Sequence, residues 1–252
     1  MTPLAKPLRS RLESAVTDAR RKAEAAARGA LERLAVDRPE PFGHMAVEAR
    51  ELRVRLRARA RQLGDVLLPR TDERGRNHQI DHLVREAAYE WWHRMLFARF
   101  LAENHLLMHP SGVAVSLEEC KELASEEGAA DGWELAGRYA STMLPEIFRP
   151  DDPVLAMHLA PEDLQTLEKL LQELPAEVFT ADDSLGWVYQ FWQAEEKDRV
   201  NKSGLKIGAD ELAAVTQLFT EHYMVEFLLH NSLGAWWAGR KLGSEVRGPR
   251  RS

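Results

Sequence analysis

Apolar residues recur along this chain at three- and four-residue spacing, the period of an amphipathic helix. Leu8, Leu12, Ala15, Ala19, Ala23, Ala26, Ala30 and Leu34 form one narrow seam of mostly small residues. Alanine has the highest helix propensity, so a long first helix is expected even where it packs lightly. Pro39, Pro41 and Gly43 break it, because proline lacks an amide donor and disfavours helix in the residue before it. Leu52, Leu56, Ala60, Leu63 and Leu67 form a second seam. Arg53, Arg55, Arg57, Arg59 and Arg61 alternate through the same stretch, as they would along a strand. The leucine seam runs further, and Ala, Leu and Arg are good helix formers, so a second helix is expected.

Residues 80–107 are the most apolar helical stretch, with Leu83, Ala87, Trp91, Met95, Phe100 and Leu107 among their hydrophobic positions. Tyr89, Trp92 and Phe97 add large aromatic surface, which predicts the central core helix. Shorter helices are expected at 117–127, 133–144, 161–174 and 185–200. Pro161 suits a first turn, and Asp163 adds favourable negative charge there. No stretch alternates β-branched residues, and no repeat is visible. The fold class is therefore all-α, an irregular multi-helix bundle. Its expected parts are a basic helix and linker at 1–43, a helical domain at 44–205, a further helical segment at 206–243, and an aperiodic, disordered tail at 244–252.

Composition bounds the chemistry. The net charge is -6, yet positions 1–76 carry an excess of Lys and Arg and the remainder an excess of Asp and Glu. The first third thus suits an acidic partner such as nucleic acid. On a helix, Arg53, Arg57 and Arg61 share one face, and guanidinium forks match phosphate geometry, so these three are the candidate DNA-backbone contacts. The competing reading is a solvated face paired with Glu48 and Glu51. The single cysteine, Cys120, allows no internal disulfide and fits a reducing cytoplasm. No apolar run reaches the ~20 residues that span a bilayer, so no membrane partner is expected. His78 and His82 are one turn apart, as are His105 and His109, but no third-ligand pattern accompanies either pair, so no metal site is assigned. Pro150-Asp151 with Glu195-Glu196-Lys197 matches a metal-nuclease pattern only nominally, because the second half lies in helical context. No phosphate-binding glycine loop or Ser-His-Asp motif is present.

Two stretches carry a resemblance. One is Arg74-Gly75-Arg76, followed by Arg85 to Phe100 with its Trp91-Trp92-His93-Arg94 centre. The other is Leu185-Gly186-Trp187-Val188-Tyr189-Gln190-Phe191-Trp192, then Glu195 to Asp198, then Thr216-Gln217-Leu218-Phe219-Thr220 through Asn231-Ser232-Leu233-Gly234. In order and wording these resemble the N-terminal part of the PglX family, large adenine-specific DNA methyltransferases of BREX phage-defence systems, themselves similar to type IIG restriction-modification methylases.

The resemblance implies a helical N-terminal region ahead of a Rossmann-like core that transfers a methyl group from S-adenosylmethionine to N6 of adenine in DNA. By position, Phe219 and Thr220 are the implied cofactor contacts, with 206–243 opening the methyltransferase domain. The pattern often has proline after the threonine, where this sequence has Glu221. The implied partners are DNA, the remaining methyltransferase domain or a split subunit, and other phage-defence proteins. The family's glycine-rich cofactor loop and its Asn-Pro-Pro-Tyr motif, which holds the flipped adenine, do not occur here. No catalytic residue is therefore assigned. The expectation is a region that stops short of the catalytic core and is inactive alone; the alternative is a non-catalytic helical module that binds DNA or a defence-complex partner.

Overall fold

The computed structural model describes residues 3–149, 151–203 and 219–245. The described residues contain no β-strand, only two isolated bridges, Leu67 to His78 and Met108 to Ala114. The chain divides into two compact units, Pro7–Thr180 and Met1–Lys6 with Ala181–Ser252.

The larger unit starts with α1 (Lys6–Arg33), whose seam Leu12, Val16, Ala19, Ala23, Ala26, Ala27, Ala30 and Leu31 is buried. The Val36 amide donates to the Leu31 carbonyl and the Ala35 amide to the Glu32 carbonyl, a Schellman closure with Ala35 in the left-handed position at φ 52°. Next comes α2 (Val47–Gln62), a helix as the leucine seam predicts, with Leu56 and Ala60 buried.

The central element is α3 (Asp81–Glu103). It buries Leu83, Val84, Ala87, Ala88, Trp92, Met95, Leu96, Ala98 and Leu101, too many directions for a single stripe. It packs against α2, α5 (Gly132–Met143), α7 (Pro161–Gln172) and α8 (Glu177–Thr180). Its start is capped from a distance: the buried carboxylate of Asp65 accepts from the His82 and Leu83 amides, each at 3.0 Å.

A second part of this core joins α3 to α4 (Leu117–Ala124), α5 and α6 (Pro145–Phe148) through Leu101, Leu107, Cys120, Leu135, Tyr139 and Phe148. Ser116 and Glu119 close a reciprocal capping box on α4. Gly132 lets α5 approach α4 closely, because a Cβ there would lie 2.8 Å from the Lys121 backbone nitrogen.

In the smaller unit, α9 (Ser184–Ser203) buries Trp187, Phe191, Trp192 and Val200. Asp183 accepts from the Leu4 amide at 2.7 Å and from Trp187 Nε1 at 2.9 Å, fastening residues near the amino end to α9. Then α10 (His222–Leu229), a π-helical turn (His230–Gly234) and α11 (Ala235–Glu245) run as one continuous rod. No helix among the described residues is long and apolar enough to cross a membrane.

Candidate functional site

The three arginines singled out in sequence do not share one environment. Arg53 is only 7% exposed. Its Nε donates to the Ala35 carbonyl at 2.9 Å, and its Nη2 donates to the carbonyls of Arg38 and Pro39. Arg57 Nη1 donates to the Val36 and Arg38 carbonyls. Burial lowers both guanidinium pKa values from the usual range. The two side chains thus satisfy the turn that follows α1, whose carbonyls have no helical partner. Arg61, one turn further on, is exposed.

The opposite edge of α2 borders an open cleft of about 320 Å³ lined by Arg55, Arg59, Arg149 and Asp152. Here Arg59 Nε donates to Glu86 at 3.0 Å, Arg149 pairs with Glu90, and Arg55 donates to the Asp151 carbonyl at 2.9 Å. Burial raises the Glu90 carboxyl above its ordinary value, against the lowering effect of Arg149. Arg149 has a left-handed backbone, φ 34°, which is costly for a residue with a side chain.

A smaller and more enclosed cavity of about 140 Å³ lies between the end of α1 and the segment before α3. Arg28, Glu32, Asp37, Asp72, His78 and Asp81 contribute to its wall. Asp72 organises one side: its Oδ1 accepts from the Arg74 and Arg76 amides and its Oδ2 from Arg76 Nε at 2.7 Å. Gly75, at φ +78°, completes that turn. The Asp37 carbonyl accepts from the Asn77 and His78 amides and pins the segment to the end of α1. Asp37 and His78 are each 2% exposed. Burial raises the Asp37 pKa despite its own amide hydrogen bond and nearby Arg38, and burial lowers that of His78. In sequence Asp37 reads as linker, and His78 stands out only as one of a one-turn pair with His82.

Another cluster links distant segments. His109 Nδ1 lies 2.7 Å from Ser111 Oγ, its Nε2 lies 3.0 Å from Glu127 Oε1, and the Tyr139 hydroxyl donates to the same oxygen at 2.6 Å. The chain ties a surface turn to α5. Among the described residues no group of three His, Cys, Asp or Glu side chains is arranged to hold a metal ion.

In the smaller unit, the Phe219 ring meets Trp187 edge-on at 5.1 Å and lies over Gly186, where a Cβ would come within 2.1 Å of it. Thr220 is exposed. Thr220 is suited by type to cap the following helix, but the helix starts one residue later, with Glu221 at the cap position and no side-chain cap bond. The preceding residues Thr216, Gln217 and Leu218 lie outside the described residues, as do 246–252 of the expected tail. Beyond Thr220, Tyr223, Met224, Val225, Phe227, Leu228, Leu229, Leu233, Trp236 and Trp237 are all exposed, Phe227 by 65% and Trp236 by 59%. So many large apolar side chains on one rod form a patch of the kind that marks interaction surfaces.

No family model matches the sequence, and no solved structure matches it. Over 200 residues, 63% of this chain, it is 26% identical to the adenine-specific methyltransferase PglX of Lacticaseibacillus casei (strain Zhang), covering 16% of that protein. Over 207 residues, 68% of this chain, it is 27% identical to the adenine-specific methyltransferase BrxX of Escherichia coli O9:H4 (strain HS), covering 17% of it. The chain therefore spans about one sixth of the length of the curated relatives it matches. Over roughly two thirds of its own length, this helical chain is distantly similar to adenine-specific methyltransferases of the PglX and BrxX kind.

Proposed function

We propose that this chain is the helical N-terminal region of an adenine-specific DNA methyltransferase from a BREX-type phage-defence or restriction-modification system, and that it does not transfer methyl groups alone. The similarity to PglX and BrxX carries the reading. The absence of an Asn-Pro-Pro tripeptide from the sequence supports its second half, because that motif holds the flipped base.

Phe219 and Thr220 have side chains suited to one wall of an S-adenosylmethionine site: an aromatic ring set by Trp187 and an exposed hydroxyl beside it. That cofactor supplies the methyl group. The apolar rod from α10 to α11 is the surface on which the remaining methyltransferase domain, or a separate subunit carrying it, docks. DNA-backbone contact from α2 falls to Arg61, with Arg53 and Arg57 holding the helix in place. The cellular setting implied is cytoplasmic, alongside other phage-defence proteins.

The test mixes this chain with a polypeptide carrying the remainder of such a methyltransferase and measures N6-methyladenine in DNA. Methylation that requires both pieces is expected. Equal methylation without this chain sinks the reading. DNA retention by the chain without any gain in methylation favours a non-catalytic helical module instead.

A further inference from the structure

We propose that the open cleft beside α2 binds a phosphomonoester group, held by Arg55, Arg59 and Arg149. This site is independent of the methyltransferase reading and lies on the edge of α2 opposite Arg61. It is set apart by the different depths at which its positive and negative groups sit.

Arg55 and Arg59 stand one turn apart on α2, so both serve one edge of the helix. Arg149 reaches the same cleft from the C-cap of α6. Carboxylates fix two of these heads from beneath. Glu86 accepts from Nε and Nη2 of Arg59, and Glu90 accepts from Nη2 of Arg149. The Glu86 and Glu90 side chains are 14% and 12% exposed, against 30% for Arg59 and 40% for Arg149. Asp152, the acid in the wall itself, is 9% exposed; it accepts from the Val154 amide and lies 3.5 Å from Arg149 Nη1. Arg55 is exposed and uses only Nη2, on the Asp151 carbonyl. The buried layer is therefore anionic and already engaged, and the layer that meets solvent is cationic. The Arg59 pKa is raised by Glu86 first, then by Asp152 and Glu90, so the Arg59 and Arg149 heads share one neighbourhood.

Donors are left over in the outer layer. No described residue accepts from Arg59 Nη1, from Arg149 Nε, or from Arg55 Nε and Nη1. The exposed Gln62 amide, also in the wall, has no partner among the described residues. A cationic ligand meets guanidiniums first. A carboxylate ligand offers two oxygens and a single charge, fewer than three guanidinium forks can engage. A phosphomonoester offers three acceptor oxygens and up to about two negative charges, and guanidinium forks match its geometry. A cleft of about 320 Å³ leaves room for the esterified group as well. Two sources share this chemistry: a small phosphate ester, and the terminal phosphate of a nucleic-acid strand.

The full chain is titrated calorimetrically at fixed ionic strength with methyl phosphate and with dimethyl phosphate, a diester of single charge. Dimethyl phosphate should bind at least ~tenfold more weakly than methyl phosphate, having lost a charge and an acceptor oxygen. Arg55→Gln removes a head that pairs with no carboxylate, so the ion pairs beneath remain. It should weaken methyl phosphate binding by ~tenfold, the loss of one charge-assisted contact. Arg61→Gln, on the other edge of α2, should leave that affinity unchanged. One oligonucleotide in 5′-phosphorylated and 5′-hydroxyl forms separates the sources. A phosphorylated form tighter than both its hydroxyl form and methyl phosphate assigns the cleft to strand ends, and any other order assigns it to a small ester. No binding of methyl phosphate, equal binding of dimethyl phosphate, or unchanged affinity in Arg55→Gln overturns the proposal, as does an equal loss in Arg61→Gln.

Discussion

Arg53 Nε donates to the carbonyl oxygen of Ala35 at 2.9 Å, joining α2 to a left-handed residue 18 positions earlier. The contact makes Arg53 part of the capping of α1. Replacing Arg53 with alanine strands the buried Ala35 carbonyl and removes a donor from the half-buried Arg38 and the exposed Pro39 carbonyls. The expected loss is ~2–4 kcal/mol, because hydrogen bonds from a charged donor are strong and orphaned buried acceptors are costly. Arg61→Ala, at an exposed site, should change stability by less than ~0.5 kcal/mol. In DNA titrations at several salt concentrations, Arg61→Ala should lower the salt slope by about one phosphate contact. Urea unfolding read beside those titrations separates the two roles; equal destabilisation by both substitutions would contradict the division.

α3 also ends in a Schellman closure. The Leu106 amide donates to the Leu101 carbonyl at 2.7 Å, with His105 left-handed at φ 56° and exposed. Glycine adopts this conformation without a Cβ penalty, and no packing is lost on trimming an exposed imidazole. His105→Gly should therefore stabilise the chain by ~0.5–1 kcal/mol, seen as a higher Tm.

Two glycines of α5 separate rigid from soft crowding. A Cβ at Gly132 meets the Lys121 backbone, 2.8 Å from its nitrogen and 2.9 Å from its Cα. A Cβ at Gly137 meets the Arg94 guanidinium, 2.5 Å from its Nε. Backbone cannot step aside as a side chain can. Gly132→Ala should cost ~1–3 kcal/mol in urea unfolding, and Gly137→Ala less, since Arg94 can swing away. The reverse order would show that α4 and α5 are not in register as described.

Burial holds the pKa of both His78 and His93 below the ordinary 6.5. A depressed pKa means that the unfolded chain binds protons first, so the contribution is complete above 6.5 and drains as pH falls through the lowered values. The urea midpoint should therefore fall on acidification from neutral pH. Asp37 and Glu90, with raised pKa values, act in the opposite sense: their contribution is present below the ordinary carboxylate range and is lost as pH rises through the raised values. The measured profile should accordingly flatten once the carboxylates begin to protonate. A midpoint that is constant between neutral and mildly acid pH would be incompatible with two imidazoles whose pKa values burial lowers.

Burial pushes the Cys120 thiol up to about 11, with Glu119 and Glu127 adding to the effect. Thiolate is the reactive form, so the folded chain should resist alkylation at neutral pH and react stoichiometrically in denaturant. Mass spectrometry after iodoacetamide treatment reads this directly.

Local pattern made the helices legible. The leucines of α2 outran the alternation of its arginines, and the crowding of aromatic residues around Trp92 marked α3 as central. Long-range polar destinations were not legible. Arg53 and Arg61 lie on the same side of a helical wheel, and the left-handed turn at Ala35, brought in by chain folding, gives Arg53 its carbonyl partners. The same holds for Asp65, which caps α3 from outside that helix. The cavity at Asp37 and His78 is built from residues that carry no shared motif, because it comes from the Asp37 carbonyl gripping the chain some forty positions later. At Thr220, residue type favoured a cap that the backbone instead gives to Glu221.

The π-helical turn at His230–Gly234 sets the phase between the two halves of the exposed rod. Such a turn houses one residue more than an α-helix requires, and each residue is worth about 100° of rotation. Removing one residue there would swing Trp236 and Trp237 around the axis relative to Tyr223 and Phe227. The relative phase of the two halves is thus encoded by residue count: a single-codon deletion in the turn rotates one set of exposed apolar side chains against the other.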